Sequence, residues 1–333
     1  MPLYAAVPTP DKGYLLCFSD TTEVMKVDQR FAVNWRKDLQ EEPNGSIGTQ
    51  LSVSPDGRRI GITEIDKIRI LDDQGEPLFV HHHREWEMFT GTQCFFQLGL
   101  AWFVTPNPLE GEDDVLHVMN AETFDIIDKV QIPDHNYNAY SFFDTPSPDM
   151  IILQSAAGQD EGFLFSIQLV NGAIKMIQIE AGYDRVMGSF SPDGTELVTA
   201  PHYNEEIEVL SFPDFNLLRS VEQDILWESP GNFTSENDED AVDYVVFYLN
   251  NESIVVKTRW GRFLVLNRQS LKLEAELMLE GNQIKAFDFE GDETNDEDQI
   301  FDYEGEINDI KLNPYTGQFF AIHPSGMLMI YNR

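Results

Sequence analysis

The chain has 333 residues, with 58 Asp+Glu against 22 Lys+Arg, a formal net charge of −36. Charge of that sign repels phosphate backbones and anionic lipid, so direct binding to nucleic acid or to a membrane surface is disfavoured. Disorder is excluded as the cause of the acidity, because 42% of the residues are hydrophobic and 12% aromatic, enough for a large core.

From the N-terminus, Met1-Pro2-Leu3-Tyr4 shows neither the basic start nor the long apolar run of a secretion signal. No stretch approaches the ~18–20 apolar residues of a membrane span, so the expected location is the cytoplasm. A turn at Thr9-Pro10-Asp11-Lys12-Gly13 then leads into the apolar run Tyr14-Leu15-Leu16-Cys17-Phe18. The same device returns at Ser54-Pro55-Asp56-Gly57, Ser147-Pro148-Asp149, Ser191-Pro192-Asp193-Gly194 and Asn313-Pro314-Tyr315-Thr316-Gly317, each followed by a short apolar run. Proline presets φ for a turn and glycine supplies positive φ, so each predicts a hairpin between two short strands.

A second turn recurs at a similar offset downstream, at Asp72-Asp73-Gln74-Gly75, Asn120-Ala121-Glu122-Thr123, Asn171-Gly172, Pro213-Asp214 and Asn267-Arg268-Gln269-Ser270. The two turns together define a four-strand unit. Seven such registers begin near residues 3, 48, 90, 138, 184, 240 and 305. Repeats of about 40–50 residues, each a four-stranded sheet, are the pattern of a β-propeller, because one such sheet cannot cover both of its faces and a set of them can. The expectation is an all-β fold: one seven-bladed propeller of four-stranded antiparallel blades over 1–333. The last register ends at Met327–Arg333, where its outermost strand should begin, so the last blade is expected to be three-stranded or completed from elsewhere. The alternating run Ile284–Phe289 is the candidate for completing it.

The Ser-Pro-Asp-Gly turns resemble those of the WD40-like β-propellers common in bacteria, and the resemblance covers nearly the whole chain. The Gly-His start and the Trp-Asp dipeptide of true WD40 repeats are absent. The resemblance implies a rigid binding platform or scaffold, a role this fold shares with enzymes.

Two acidic inserts, at about 228–243 and 288–309, each join the last strand of one blade to the first strand of the next. The second holds eleven carboxylates and no Lys or Arg. In a propeller such connections emerge on one face, so both inserts are expected to share it. The candidate partner-binding residues are Trp227, which leads into the first insert, Glu236, Asp238, Glu239 and Asp240 within it, and Asp292, Glu293, Asp296, Glu297 and Asp298 in the second. Clustered charge of one sign steers association, and an aromatic beside acid suits a basic protein as partner. A sharper form of this reading is an immunity or inhibitor protein that offers a basic target the charge of its polyanionic substrate. Solubilising loops are the competing reading. Asp292, Thr294, Asp296 and Asp298 alternate as some Ca²⁺ ligands do, but an EF-hand loop starting at Asp292 needs Gly and Glu where Glu297 and Tyr303 stand, so no cofactor is expected, with Ca²⁺ as the lesser alternative.

Other constellations are weaker. His81-His82-His83 would set His81 and His83 on one face of a strand, with Glu85 following if the strand ran on, but a complete metal set is missing. His117, His135, His202 and His323 are scattered. No Gly-x-Ser-x-Gly, P-loop or dinucleotide fingerprint is present. The alternative function is a lactonase-like propeller hydrolase with an axial metal, for which Asn138, Asp184, His202 and Asn308 are the residues to inspect. Tyr137, Tyr140, Tyr183 and Tyr203 are candidates for the insert face, and the remaining tryptophans, Trp35, Trp86, Trp102 and Trp260, for packing between blades. Cys17 and Cys94, each inside an apolar run, read as buried free thiols.

Overall fold

The computed structural model describes residues 3–18, 23–39, 50–86, 92–132, 139–157, 161–201, 206–222, 240–307 and 309–331. Six four-stranded antiparallel sheets and one three-stranded sheet, each with its strands in sequence order, make the chain a seven-bladed β-propeller. The blades begin at residues 3, 50, 95, 139, 185, 242 and 310. Blade 7 has three strands: Ile310–Leu312, Phe319–Ile322 and Leu328–Tyr331.

The recurrent turns fold as their chemistry requires. In blade 2 the Ser54 hydroxyl donates to Asp56 at 2.6 Å and accepts from the Arg59 N–H at 2.9 Å, while Gly57 takes φ +73°. Ser191, Asp193 and Gly194 repeat the arrangement in blade 5. At the second turn a side-chain oxygen caps the backbone. Asn120 Oδ1 accepts from the N–H groups of Glu122 and Thr123, and Asn267 Oδ1 from those of Gln269 and Ser270. These side chains offer the chain a local alternative to continuing the strand, and so they end it.

The chain divides into two compact units. The first comprises 1–161, 165–177 and 311–333 and holds blades 1–3, most of blade 4 and nearly all of blade 7. Its core is a series of layers between neighbouring sheets. Tyr14, Leu16 and Val27 of blade 1 pack on Phe320 of blade 7, and Leu15, Cys17 and Val24 pack on Leu51, Ile60 and Ile62 of blade 2. Cys94, Phe96 and Phe103 of blade 3 meet Ile68 and Ile70 of blade 2. Both cysteines are buried free thiols, and burial pushes Cys17 up to about 11 and Cys94 up to about 12. Trp86 and Trp102 are buried, and Trp35 packs against the blade 1–blade 2 layer.

The second unit comprises 162–164 and 178–310. Blades 5 and 6 share a core of Val198, Val209, Val246, Ile254 and Leu264 among others. A two-stranded hairpin follows blade 6, Ile284–Phe287 paired with Asp302–Gly305. The strand expected to complete blade 7 is this one. Its pairing corrects the expectation, because Ile284 lies opposite Gly305 and Phe287 opposite Asp302. No helix among the described residues is long and apolar enough to cross a membrane.

Candidate functional site

The second acidic insert is built into this hairpin. Its tip is a tight turn: Gly291, at φ +84°, donates to the Asp288 carbonyl at 3.0 Å, and the Asp292 N–H donates to Asp288 Oδ1 at 2.8 Å. The chain then doubles back along the first strand. Glu293 bridges to Phe287, and the Thr294 N–H donates to the Ala286 carbonyl at 2.9 Å. Asp296 closes a 3-10 turn, Glu297–Gln299, by accepting from the Asp298 N–H and from Gln299 Nε2. The Phe301 N–H donates to the Phe287 carbonyl at 2.8 Å, leading into the second strand.

Three contacts mount the hairpin on the turn between the second and third strands of blade 6. Gly261 and Gly305 meet backbone to backbone, so closely that a Cβ on Gly305 would lie 2.6 Å from the Gly261 Cα. Trp260 and Tyr303 pack with ring centroids 4.5 Å apart. Asn282 donates to the Gly261 carbonyl at 2.7 Å and accepts from the Ile307 N–H at 3.1 Å.

Asp292, Glu293, Asp296, Glu297 and Asp298 are all exposed on this hairpin. Lys285 pairs with Glu293 at 3.2 Å and Glu306 at 3.1 Å, and these carboxylates raise its pKa. Among the described residues no basic side chain pairs with Asp288, Glu290, Asp292, Asp296, Glu297, Asp298, Asp302 or Glu304. The sequence reading missed what lies between these charges. Phe289 and Phe301 are 78% and 61% exposed and pack edge to face with centroids 5.0 Å apart. Apolar spacing did not reveal the pair, because Phe289 reads as the last residue of the alternating run and Phe301 as the neighbour of Ile300, and nothing local brings the two rings together.

The other proposed residues are placed differently. Asp240 is buried, accepts from the Trp260 N–H at 3.1 Å and lies 3.6 Å from Arg262. Burial raises its pKa against the opposing pull of Thr258, Trp260 and Arg262. It is therefore a structural carboxylate of blade 6, which corrects its assignment to the partner surface. Trp227, Glu236, Asp238 and Glu239 lie outside the described residues, as do Tyr137, Asn138, His135, His202, Tyr203 and Asn308. Tyr140 is buried with its hydroxyl on Asp114 at 2.8 Å and lines no surface. Tyr183 is exposed, and Asp184 is half-buried with its N–H on the Gly162 carbonyl at 2.7 Å.

The histidine run does not form the expected face. Its strand ends at His82, so His83 and Glu85 leave the alternation. His83 Nδ1 donates to the Arg84 carbonyl at 2.7 Å. His81 instead turns its ring toward His117, 5.7 Å away. His117 is stacked on Phe103 and bonded to the Thr105 hydroxyl at 3.0 Å; burial, helped by His81, pushes it down to about 3. Among the described residues no three His, Cys, Asp or Glu side chains are grouped to hold a metal ion.

Comparison with solved structures identifies the same architecture. Hydrazine synthase of Kuenenia stuttgartiensis superposes with a TM-score of 0.60 at 11% identity, over 98% of this chain and 94% of that one. The WD40 repeats of RRP9 superpose at 0.57 and 12% identity, over 96% of this chain and 87% of that one. U3-55K superposes equally well, at 0.57 and 12%, over 96% and 88%. At such identities the likeness is one of fold alone. No protein-family model and no curated protein sequence matches the chain.

Proposed function

We propose that this chain is a protein-binding β-propeller that captures a basic protein on the acidic hairpin 284–305. The observation that carries the reading is the exposed Phe289–Phe301 pair, held in place amid carboxylates without a basic partner. An exposed aromatic anchor ringed by charge of one sign has the composition of a binding hot spot, and Arg or Lys can stack on such rings. The mounting on Gly261 and Trp260 supports a pre-organised surface rather than a solubilising loop, because little ordering entropy is left to lose on binding. The propeller neighbours named for WD40 repeats support a display role, and two buried free thiols suit the reducing cytoplasm. An inhibitor-like partnership, with the hairpin replacing a polyanion, is the finer form of the same reading.

The test compares wild-type chain with two variants as bait in lysate of the encoding organism. One carries D292N, E297Q and D298N; the other carries F289A and F301A. The same basic protein should be held by the wild type at low salt, released at high salt and lost from both variants. Retention of that protein by both variants, with folding unchanged, overturns the reading.

A further inference from the structure

Blade 3 departs from its neighbours at one point. The first two strands of blade 2 are joined through residues 54–58, and those of blade 4 through 145–150. In blade 3 the strands Phe95–Gln97 and Leu100–Thr105 are joined by Leu98 and Gly99 alone, and Gln97 faces Leu100 directly. Both turn residues have positive φ, +50° and +75°. That is the two-residue hairpin turn that usually carries Asn-Gly. A leucine held there with 69% of its surface exposed is a conformational outlier that core packing does not account for.

The short turn leaves a gap between the longer turns on either side, a cleft of about 440 Å³. Phe96, Leu98, Leu100, Pro55 and Pro148 supply apolar walls. The polar groups are fixed from behind. Gln97 is buried and donates to the Met150 carbonyl at 3.1 Å, and the single proton of the Thr145 hydroxyl is shared between the carbonyls of Ser147 and Met150, 2.8 and 2.9 Å away.

The ionic groups of the cleft are unequally satisfied. Arg59 is bonded to Glu122 at 2.8 Å and to the Ala121 carbonyl. Asp56 accepts from Ser54 and from the Arg58 N–H. Asp144 is exposed to the cleft, and among the described residues its one hydrogen bond is from the neutral Gln97 amide, at 3.4 Å. The surrounding protein desolvates this carboxylate and raises its pKa against the opposing Gln97 hydrogen bond. Among the described residues no basic side chain pairs with it.

We propose that this cleft binds an organic cation, an ammonium or guanidinium on an apolar stem, with the charge on Asp144 and the stem against Phe96 and Leu98. An apolar cavity with one charged group to orient its occupant is the usual design of a small-ligand site. An anion would meet Asp56, Glu122 and Asp144 with Arg59 already engaged. A neutral ligand would leave Asp144 as it is. The site lies on blades 2–4 and stands independently of the acidic hairpin.

The test titrates the full chain with benzylamine, and with benzyl alcohol as its uncharged counterpart, by calorimetry and ligand-observed NMR. Benzylamine should bind at least tenfold tighter than the alcohol. D144N should remove that preference, whereas D56N should change affinity less than twofold. L98A, at an exposed rim position, should weaken the amine about threefold and serves as the second variant if D144N does not fold. Equal binding of amine and alcohol, or amine binding untouched by both D144N and L98A, overturns the proposal. A capped Gly-Lys-Gly tripeptide that competes with benzylamine assigns the cation to a partner's side chain, and one that does not assigns it to a free amine.

Discussion

Asn313 Nδ2 donates to the Tyr14 hydroxyl at 3.1 Å, joining residues 299 positions apart in the chain. Asn313 is fully buried and also accepts from the N–H groups of Tyr315 and Thr316, so one side chain shapes the blade 7 turn and ties it to blade 1. Tyr14 completes the tie by packing edge to face on Phe320 at 5.6 Å. Leu3, Ala6, Leu16 and Val27 pack in the same layer with Phe320, so the bond sits at the edge of the apolar contact that attaches blade 7.

Removing either partner should therefore cost stability out of proportion to the atoms lost. Asn313→Ala forfeits three hydrogen bonds and should lower unfolding free energy by about 2–3 kcal/mol, while Tyr14→Phe, which strands one amide donor, should cost about 1–2 kcal/mol. Urea unfolding at constant slope checks both, and the double variant should fall short of the sum because the two share one bond. Additive losses would show that the bond contributes nothing.

In blades 5 and 6, Glu196 accepts from Arg268 at 2.8 Å and from Tyr248 at 2.9 Å, and pairs with Arg219 at 2.7 Å. Burial works to raise its pKa, but the bonds from Arg219, Arg268 and Tyr248 together outweigh it and hold the carboxyl below the usual glutamate range. A depressed carboxyl adds stability that is complete above its unfolded pKa and is lost as pH falls through the folded value. Glu196→Gln should then cost about 2–3 kcal/mol at pH 7, because Arg219 loses its carboxylate while Arg268 keeps only Asp193, at 2.9 Å. The gap from wild type should narrow steadily below about pH 4.5, where the unfolded carboxyl begins to protonate. Denaturation series at several pH values check this, and parallel profiles would refute it.

The acidic hairpin should be separable from the blades. Gly305→Val places side-chain atoms where the Gly261 backbone lies, so the hairpin must lift off its mount. The blade cores, formed by other residues, should hold, and thermal unfolding should shift by only a few degrees. Limited proteolysis should gain a cut within 284–305. Global unfolding at room temperature would show instead that the hairpin is part of the core of its unit.

Much of the fold was legible because its punctuation is local. The Pro-Asp turns and Asn or Asp caps place the blade starts closely, the largest offsets being at 95 against 90 and at 310 against 305. The three-stranded last blade followed from counting strands to the end. What could not be read is what depends on distant partners. Ile284–Phe287 alternates as a strand must, but alternation does not name the strand opposite, and it pairs with Asp302–Gly305. Asp240 reads like every other acid in its run until Arg262 and Trp260 enclose it. The cleft was missed for a related reason. A search for Pro-Asp turns registers blade 3 only as a gap in the pattern, and what a gap makes depends on the length of its neighbours' turns.

The close approach of Gly261 and Gly305 also defines a unit of exchange. The joint is made of backbone at the two glycines, the Trp260–Tyr303 ring contact and Asn282, which bonds to backbone on both sides. Nothing in the joint reads the identity of residues 286–302. A different tip sequence, grafted between Lys285 and Tyr303, inherits the same fixed perch on blade 6. Seventeen positions can therefore be rewritten while the seven blades keep their sequence.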